Sequence, residues 1–266
     1  MRTMVSGKSV RLSRVMREGR MLCIPMDHGL SIGPVKGLDD IFRTIKAVDA
    51  GGATSVLVNK GILKALPFVP RTGLIAHLSA STSIGPSPNF KVISGSVEEA
   101  LRLGADAVSV HVNIGAKEEA DMLRGAGAVG DACDEWGVPF ITMMYPRGEN
   151  VKNPNDPEVV AHVARVGAEL GADIVKTVYT GDVESFKRVV SRVPVPVVIA
   201  GGPRLDNDLD VLRMVKAAME SGAAGVTIGR NVFQHENPEL ITRAIARIVF
   251  ENASLEDALG MLNETR

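Results

Sequence analysis

The run Gly171-Ala-Asp-Ile-Val-Lys-Thr177 combines three signals: a helix-ending glycine, a short apolar run and a lysine at its end. Its opening phrase recurs as Gly51-Gly-Ala, Gly104-Ala-Asp and Gly222-Ala-Ala-Gly, each time placing a C-cap glycine ahead of an apolar segment. The predicted strands are Met21-Leu-Cys-Ile-Pro-Met26, Thr54-Ser-Val-Leu-Val58, Leu74-Ile-Ala-His-Leu78, Ala107-Val-Ser-Val-His-Val112, Phe140-Ile-Thr-Met-Met144, Asp173-Ile-Val-Lys176, Pro196-Val-Val-Ile-Ala200 and Ala224-Gly-Val-Thr-Ile228. Short, unbroken apolar runs suit parallel strands covered on both faces. Eight of them alternating with helices predict an α/β fold, a single (β/α)8 TIM barrel, with residues 1–266 as one domain. A doubly wound open sheet is the competing arrangement.

Helical segments are predicted over 38–50, 96–104 with Ser96 as N-cap, 117–136, 208–221, 238–250 and 254–262. Asp156-Pro157-Glu158 starts another that runs to about 170, and Asp182 caps one more. Residues 91–94 read as a short extra strand. Near the N-terminus, Val10, Leu12, Val15 and Met16 share a helical stripe with arginines facing out, which predicts a helix covering one end of the barrel.

The chain has 266 residues, 45% apolar and 23% charged, with a formal net charge of −1. That balance gives no global argument for a nucleic-acid or membrane partner. Arg2, Lys8, Arg11, Arg14, Arg17 and Arg20 are spread rather than blocked, and residues 1–20 lack a signal-peptide apolar core. Cys23 and Cys133 are far apart and in no metal-ligand spacing, which fits a reducing compartment. A cytoplasmic protein acting on small molecules is expected.

In a barrel, the C-terminal strand ends share one rim, where active sites lie. Here those ends carry Asp27 and His28, Asn59 and Lys60, His77, His111 and Asn113, Tyr145 and Arg147, Lys176, Gly201 and Gly202, and Gly229 and Arg230, whereas the opposite ends carry mostly Gly, Ala and Pro. Lys176 ends a buried strand, where desolvation favours the neutral amine that can form a Schiff base with a ketone. The bland reading is a lysine with a packed stem and a wet head. Tyr145, on the neighbouring strand, can move protons at that nitrogen, or simply bond backbone at the rim. Asp27 can accept a substrate hydroxyl proton, or act as a cap or salt-bridge partner. Lys60 is the competing amine. Gly201, Gly202, Gly229 and Arg230 follow the two strands whose loops often bind phosphate in this fold, against a reading as turn glycines with a surface arginine. His28, His77 and His111 pose a zinc alternative without close ligand spacing.

Five stretches carry a family resemblance. They are Pro25-Met-Asp-His-Gly-Leu-Ser-Ile-Gly-Pro34, Met144-Tyr-Pro-Arg-Gly148, Ala172-Asp-Ile-Val-Lys-Thr177 with Tyr179-Thr-Gly-Asp182, Ala200-Gly-Gly-Pro203 and Gly229-Arg-Asn-Val-Phe-Gln234. Together they resemble the archaeal-type class I aldolases, in order along nearly the whole chain. The resemblance implies Lys176 as the Schiff-base lysine, Tyr145 as proton donor and Asp27 as proton acceptor. It implies a substrate site from Asp27, His28, Gly29, Leu30, Ser31, Tyr145, Pro146, Arg147 and Lys176, with phosphate at Gly201, Gly202, Gly229 and Arg230. It implies no metal, no cofactor and a homodecamer of pentameric rings.

Within the family, His77-Leu-Ser with its Ser/Pro-rich loop and Val110-His-Val-Asn113 resemble the members that pass a hydroxyacetone unit from 6-deoxy-5-ketofructose 1-phosphate to L-aspartate 4-semialdehyde. Asn59 stands where those members lead one to expect histidine. The alternatives are fructose-1,6-bisphosphate cleavage and, from another class, a non-catalytic phosphosugar-binding barrel.

Overall fold

The structure is a computed structural model describing residues 5–263. In chain order the elements are α1 (Gly7–Val15), β1 (Met21–Pro25), α2 (His28–Ile32), α3 (Ile41–Ala50), β2 (Ser55–Asn59), α4 (Lys60–Ala65), β3 (Gly73–His77), β4 (Ser79–Ala80), β5 (Val92–Ile93), α5 (Val97–Arg102), β6 (Ala107–Ile114) and α6 (Glu119–Trp136). There follow β7 (Phe140–Pro146), α7 (Pro157–Glu169), β8 (Ile174–Val178), α8 (Val183–Ser191), β9 (Val197–Ala200), α9 (Asp208–Glu220), β10 (Gly225–Thr227), α10 (Arg230–Phe233), α11 (Pro238–Glu251) and α12 (Leu255–Asn263). Eight strands close a parallel barrel in the order β1-β10-β9-β8-β7-β6-β3-β2. The expected barrel is therefore present, and the open sheet is not.

The repeated glycine phrase is a Schellman turn made four times. Gly52, Gly104, Gly171 and Gly222 all have φ between 85 and 91°. Their N–H groups bond three residues back, to Asp49, Leu101, Ala168 and Met219, while the next residues, Ala53, Ala105, Ala172 and Ala223, bond five back. In the first copy the left-handed residue is Gly52, one later than the phrase Gly51-Gly52-Ala53 suggests; Gly51 has φ −72°. The third residue then fastens the neighbouring strand: Asp106 Oδ2 accepts from Leu74 N at 2.9 Å and Asp173 Oδ2 from Phe140 N at 2.8 Å.

Side-chain alternation along each strand divides the core into two layers. Leu22, Ile24, Val56, Val108 and Val175 face the helices. Met21, Cys23, Leu57, Ile75, Ala107, Ile141, Met143, Ile174 and Val198 fill the barrel. Val15 of α1 joins that inner layer, fully buried. Lys8 pairs with Asp134 and Asp173 at 2.6 and 3.1 Å and Arg14 with Asp106 at 2.6 Å, so α1 seals the end where the strands begin. This is the expected covering helix, with a narrower stripe: Val10 is exposed.

Two differences matter for the site. The strands β6 and β7 run on to Ile114 and Pro146, pairing Asn113 with Tyr145, so Tyr145 lies within the sheet, past the expected strand end at Met144. The short helices α2, α4 and α10 directly follow Asp27, Asn59 and Gly229, and are too short to show a period in sequence. The extra strand β5 exists, pairing antiparallel with β4 outside the barrel.

Barrel closure between β1 and β10 depends on Gly225. It has φ +141°, and a Cβ there would lie 2.0 Å from the Met21 carbonyl oxygen. Gly225→Ala is expected to destabilise the protein by at least about 3 kcal/mol, read as a lowered urea midpoint at unchanged slope.

Candidate active site

Alternation places Ile174, Lys176 and Val178 on the barrel side of β8, and Ile141, Met143 and Tyr145 on that of β7. Lys176 is buried, 5% exposed, with Met143 and Val198 as its strand partners. Burial acts to depress its ammonium, as sequence suggests. Tyr145, Asp27 and Cys23 around it, with a hydrogen bond to Tyr145, outweigh that effect and hold its pKa above the ordinary value. The expectation of a resting neutral amine is thus overturned, because the opposing groups come from other strands.

Asp27 ends the first strand segment and precedes α2. Burial pushes its carboxyl up, but His77, His28 and Lys176 together hold it below the usual value. His28 Nδ1 lies 3.4 Å from Asp27 Oδ1, and His77 Nε2 lies 3.9 Å from Oδ2. The backbone is fixed too: Asn59 Nδ2 donates to the Asp27 carbonyl at 3.0 Å. His77 Nδ1 meets Ser109 Oγ at 2.8 Å, and burial pulls its pKa down to about 4. The series Asp27–His77–Ser109 crosses from the β1–α2 junction through β3 to β6.

The structure brings Lys176, Tyr145, Asp27, His28, His77 and Cys23 to one place. Cys23 is a barrel-interior residue whose thiol burial pushes up to about 11. His111 Nε2 meets Asn113 Oδ1 at 2.8 Å, and its ring packs on Tyr145 at 4.8 Å. Thus His77 and His111 each have other partners, the buried His28 Nδ1 has no hydrogen-bond partner, and no metal-holding group of His, Cys, Asp or Glu occurs among the described residues. Lys60 points away: its Nζ pairs with Glu99 at 2.9 Å, with 41% of the side chain exposed. Of the segment after Asp27, Leu30 is exposed and Ser31 contributes its carbonyl to Ser83 N at 2.9 Å.

On the other side of Lys176, Gly201 and Gly202 follow β9, and Gly229 and Arg230 follow β10. A Cβ at Gly229 would come within 2.8 Å of Pro25 O and 2.9 Å of the His28 ring. Arg230 Nη2 donates to the Gly202 carbonyl at 2.8 Å, while its buried Nε has no hydrogen-bond partner. Asn231, missed in the sequence reading, braces this loop through the Gly201 and Pro203 carbonyls at 3.0 and 3.1 Å. Ser109 was legible in principle, since β6 alternates polar and apolar residues from Ser109 through Asn113. A cleft of about 340 Å³ opens beside Tyr145, lined also by Pro146, Arg147, Asn155 and Val178.

A buried lysine, a phenol and a carboxylate inside a (β/α)8 barrel define a Schiff-base aldolase. The comparisons agree. Residues 21–235 match the model of the DeoC/LacD family aldolases. The chain is 44% identical over 256 residues to the 2-amino-3,7-dideoxy-D-threo-hept-6-ulosonate synthase of Halobacterium salinarum, covering 96% of each chain. It is 40% identical to the 2-amino-4,5-dihydroxy-6-oxo-7-(phosphonooxy)heptanoate synthase of Streptomyces griseus, covering 93% of this chain and 92% of that one. A solved archaeal fructose-1,6-bisphosphate aldolase, its catalytic lysine bound to the carbinolamine intermediate, superposes with a TM-score of 0.85 at 30% identity, over 91% of this chain and 99% of that one. The chain belongs to the DeoC/LacD aldolase family and is an aldolase-type enzyme.

The low pKa of His77 predicts a specific acid sensitivity. Between pH 6.5 and about 4 the unfolded chain takes a proton on His77 that the folded protein resists, so stability falls as pH drops through that window. The loss is on the order of 3 kcal/mol. The Asp27 contribution lies lower, being lost only below about pH 3.8. Urea midpoints across pH 4–7 should show the decline in the native protein and a shallower one in His77→Gln, where burial still holds His28 and His111 below their ordinary values.

Proposed function

We propose that the protein acts as a 2-amino-3,7-dideoxy-D-threo-hept-6-ulosonate synthase, moving a hydroxyacetone unit from 6-deoxy-5-ketofructose 1-phosphate to L-aspartate 4-semialdehyde. The observation that carries this reading is the buried Lys176 amine with Tyr145 and Asp27 as its neighbours. The 44% identity to the Halobacterium salinarum synthase over 96% of both chains supports the substrate choice.

Lys176 attacks the donor ketone once its ammonium has given up a proton, and Tyr145 supplies and recovers protons as the carbinolamine loses water. Asp27, held ionised, takes the proton of the β-hydroxyl. The adjoining C–C bond breaks, hydroxypyruvaldehyde phosphate leaves, and the electron pair stays as an enamine on Lys176. The enamine carbon then attacks the semialdehyde, the new alkoxide takes a proton, and water hydrolyses the imine. His28 and His77 serve as the polar frame of Asp27. Gly201, Gly202, Gly229 and Arg230 are the proposed phosphate cradle, supported by the unpartnered Arg230 Nε. The reaction feeds 3-dehydroquinate and aromatic amino acid synthesis. A homodecamer in the cytoplasm completes the proposal, by family resemblance; among the described residues no helix is long and apolar enough to cross a membrane.

A second reading, cleavage of fructose 1,6-bisphosphate, is supported by the 30% identical aldolase structure. Borohydride trapping with each donor, with and without semialdehyde, separates the two. The expected adduct is on the Lys176 peptide with 6-deoxy-5-ketofructose 1-phosphate, and it is discharged by semialdehyde. Discharge with fructose bisphosphate alone would favour the second reading. Lys176→Met should bind a phosphorylated ketose without turnover; Tyr145→Phe should lower kcat by about 10²- to 10⁴-fold. Full turnover in Lys176→Met would overturn the Schiff-base assignment and leave a different chemistry to find.

A further inference from the structure

The loop after β9 is held by side chains of α10, which take the carbonyls of Gly201, Gly202 and Pro203 in turn. Asn231 Nδ2 donates to the Gly201 carbonyl at 3.0 Å and to the Pro203 carbonyl at 3.1 Å. Arg230 Nη2 donates to the Gly202 carbonyl between them at 2.8 Å. Asn231 also accepts, since Leu205 N donates to its Oδ1 at 2.7 Å. The residue is buried, 5% exposed. A carboxamide has an acceptor oxygen and a donor nitrogen, and only this orientation of the amide satisfies both carbonyls and the N–H. Asparagine at 231 is thus the side chain that this stretch of backbone calls for.

These bonds also decide what the loop turns the other way. A trans peptide unit is planar, with its carbonyl and its N–H on opposite sides. No peptide among the described residues is cis. The Gly201 carbonyl and the Gly202 N–H share one unit, so fixing the carbonyl on Asn231 aims the N–H away from Asn231. Gly201 N itself is used by the barrel, donating to the Thr227 carbonyl at 3.1 Å. Among the described residues nothing accepts from the Gly202 N–H. Gly202 is exposed with φ +64°, and a Cβ there would meet no atom within 4 Å. The loop therefore presents an N–H on its open side, while the carbonyl oxygens, which would repel an anion, are held on α10. The buried Arg230 Nε, on the guanidinium that bonds this same glycine, is unpartnered too.

We propose that Asn231 is the positioning residue of the phosphate cradle: it turns the Gly201 and Pro203 carbonyls out of the site and sets the Gly202 N–H to donate to a phosphate oxygen. The inference rests on the cradle proposed above. Asn231 touches no substrate. It fixes beforehand a backbone donor that a loose loop would have to order on binding, and a bond from an N–H to a phosphate oxygen is charge-assisted. Aspartate at the same position keeps the size and the acceptor for Leu205 N, but sets a carboxylate oxygen against two carbonyls and drives that face of the loop off α10.

The test uses the full chain with Asn231→Ala and Asn231→Asp, and inorganic phosphate as the probe. Calorimetry gives the phosphate Kd, and borohydride trapping of hydroxyacetone on Lys176 gives a readout that involves no phosphate. Both variants should weaken phosphate binding roughly 10- to 100-fold and keep the native rate of hydroxyacetone trapping. A purely structural role would lower both readouts together, and that result overturns the inference. Unchanged phosphate affinity in both variants overturns it as well. If Asn231→Ala does not fold, Asn231→Asp, of native size, carries the comparison. Failure of the native protein to bind phosphate removes the cradle itself, which is a different result from equal binding by native and variant. If the native protein traps no hydroxyacetone, the Schiff-base reading fails, and the melting temperature then serves as the phosphate-free measure of integrity.

Discussion

The site depends on one electrostatic constraint: a lysine ammonium buried in an apolar barrel. Burying an isolated charge is costly, and a lysine left alone there would surrender its proton. Asp27 is the carboxylate that opposes this, and it is itself sustained by His28, His77 and Lys176. These four groups come from β8, β3 and the junction of β1 with α2. Their mutual support exists only when the barrel is closed, so the electrostatics of the site and the topology of the fold stand together.

Closure in turn rests on four copies of one turn. Each Schellman glycine ends a helix, each following alanine is buried, and in two copies the aspartate after it holds an N–H at the start of the neighbouring strand. Those same aspartates hold Lys8 and Arg14 of α1, which closes the bottom. One short phrase thus sets helix ends, strand register and the lid opposite the active site. Strand register matters most at β7, where pairing of Asn113 with Tyr145 aims the phenol inward beside Lys176.

Much of this was legible in sequence because its causes are local. Unbroken apolar runs marked the strands and glycines marked the turns. Lys176, Tyr145 and Asp27 stood out as the polar residues at the C-terminal ends of those runs. The direction of the Lys176 pKa was not legible, since it is set by Asp27 and Tyr145, distant in the chain. Gly52 in place of Gly51 as the left-handed residue was missed because two glycines are locally equivalent until packing chooses. Gly51 is the one against α11, where a Cβ would lie 2.6 Å from the Glu239 carbonyl oxygen.

The raised Lys176 pKa and the depressed Asp27 pKa also bear on catalysis. An ammonium cannot attack a ketone, so a proton must leave before the imine forms, and the carboxylate that stabilises the ammonium must be free to take the substrate proton afterwards. Both demands are met if substrate entry changes the balance. In the proposed mechanism an imine on Lys176 keeps a positive charge at the same nitrogen while the carboxylate faces the hydroxyl. The charge that Asp27 stabilises at rest is, on that reading, the charge that draws electrons from the breaking C–C bond. On that reading one carboxylate serves both the resting and the reactive cation, and a preorganised charge of this kind lowers the cost of the bond cleavage.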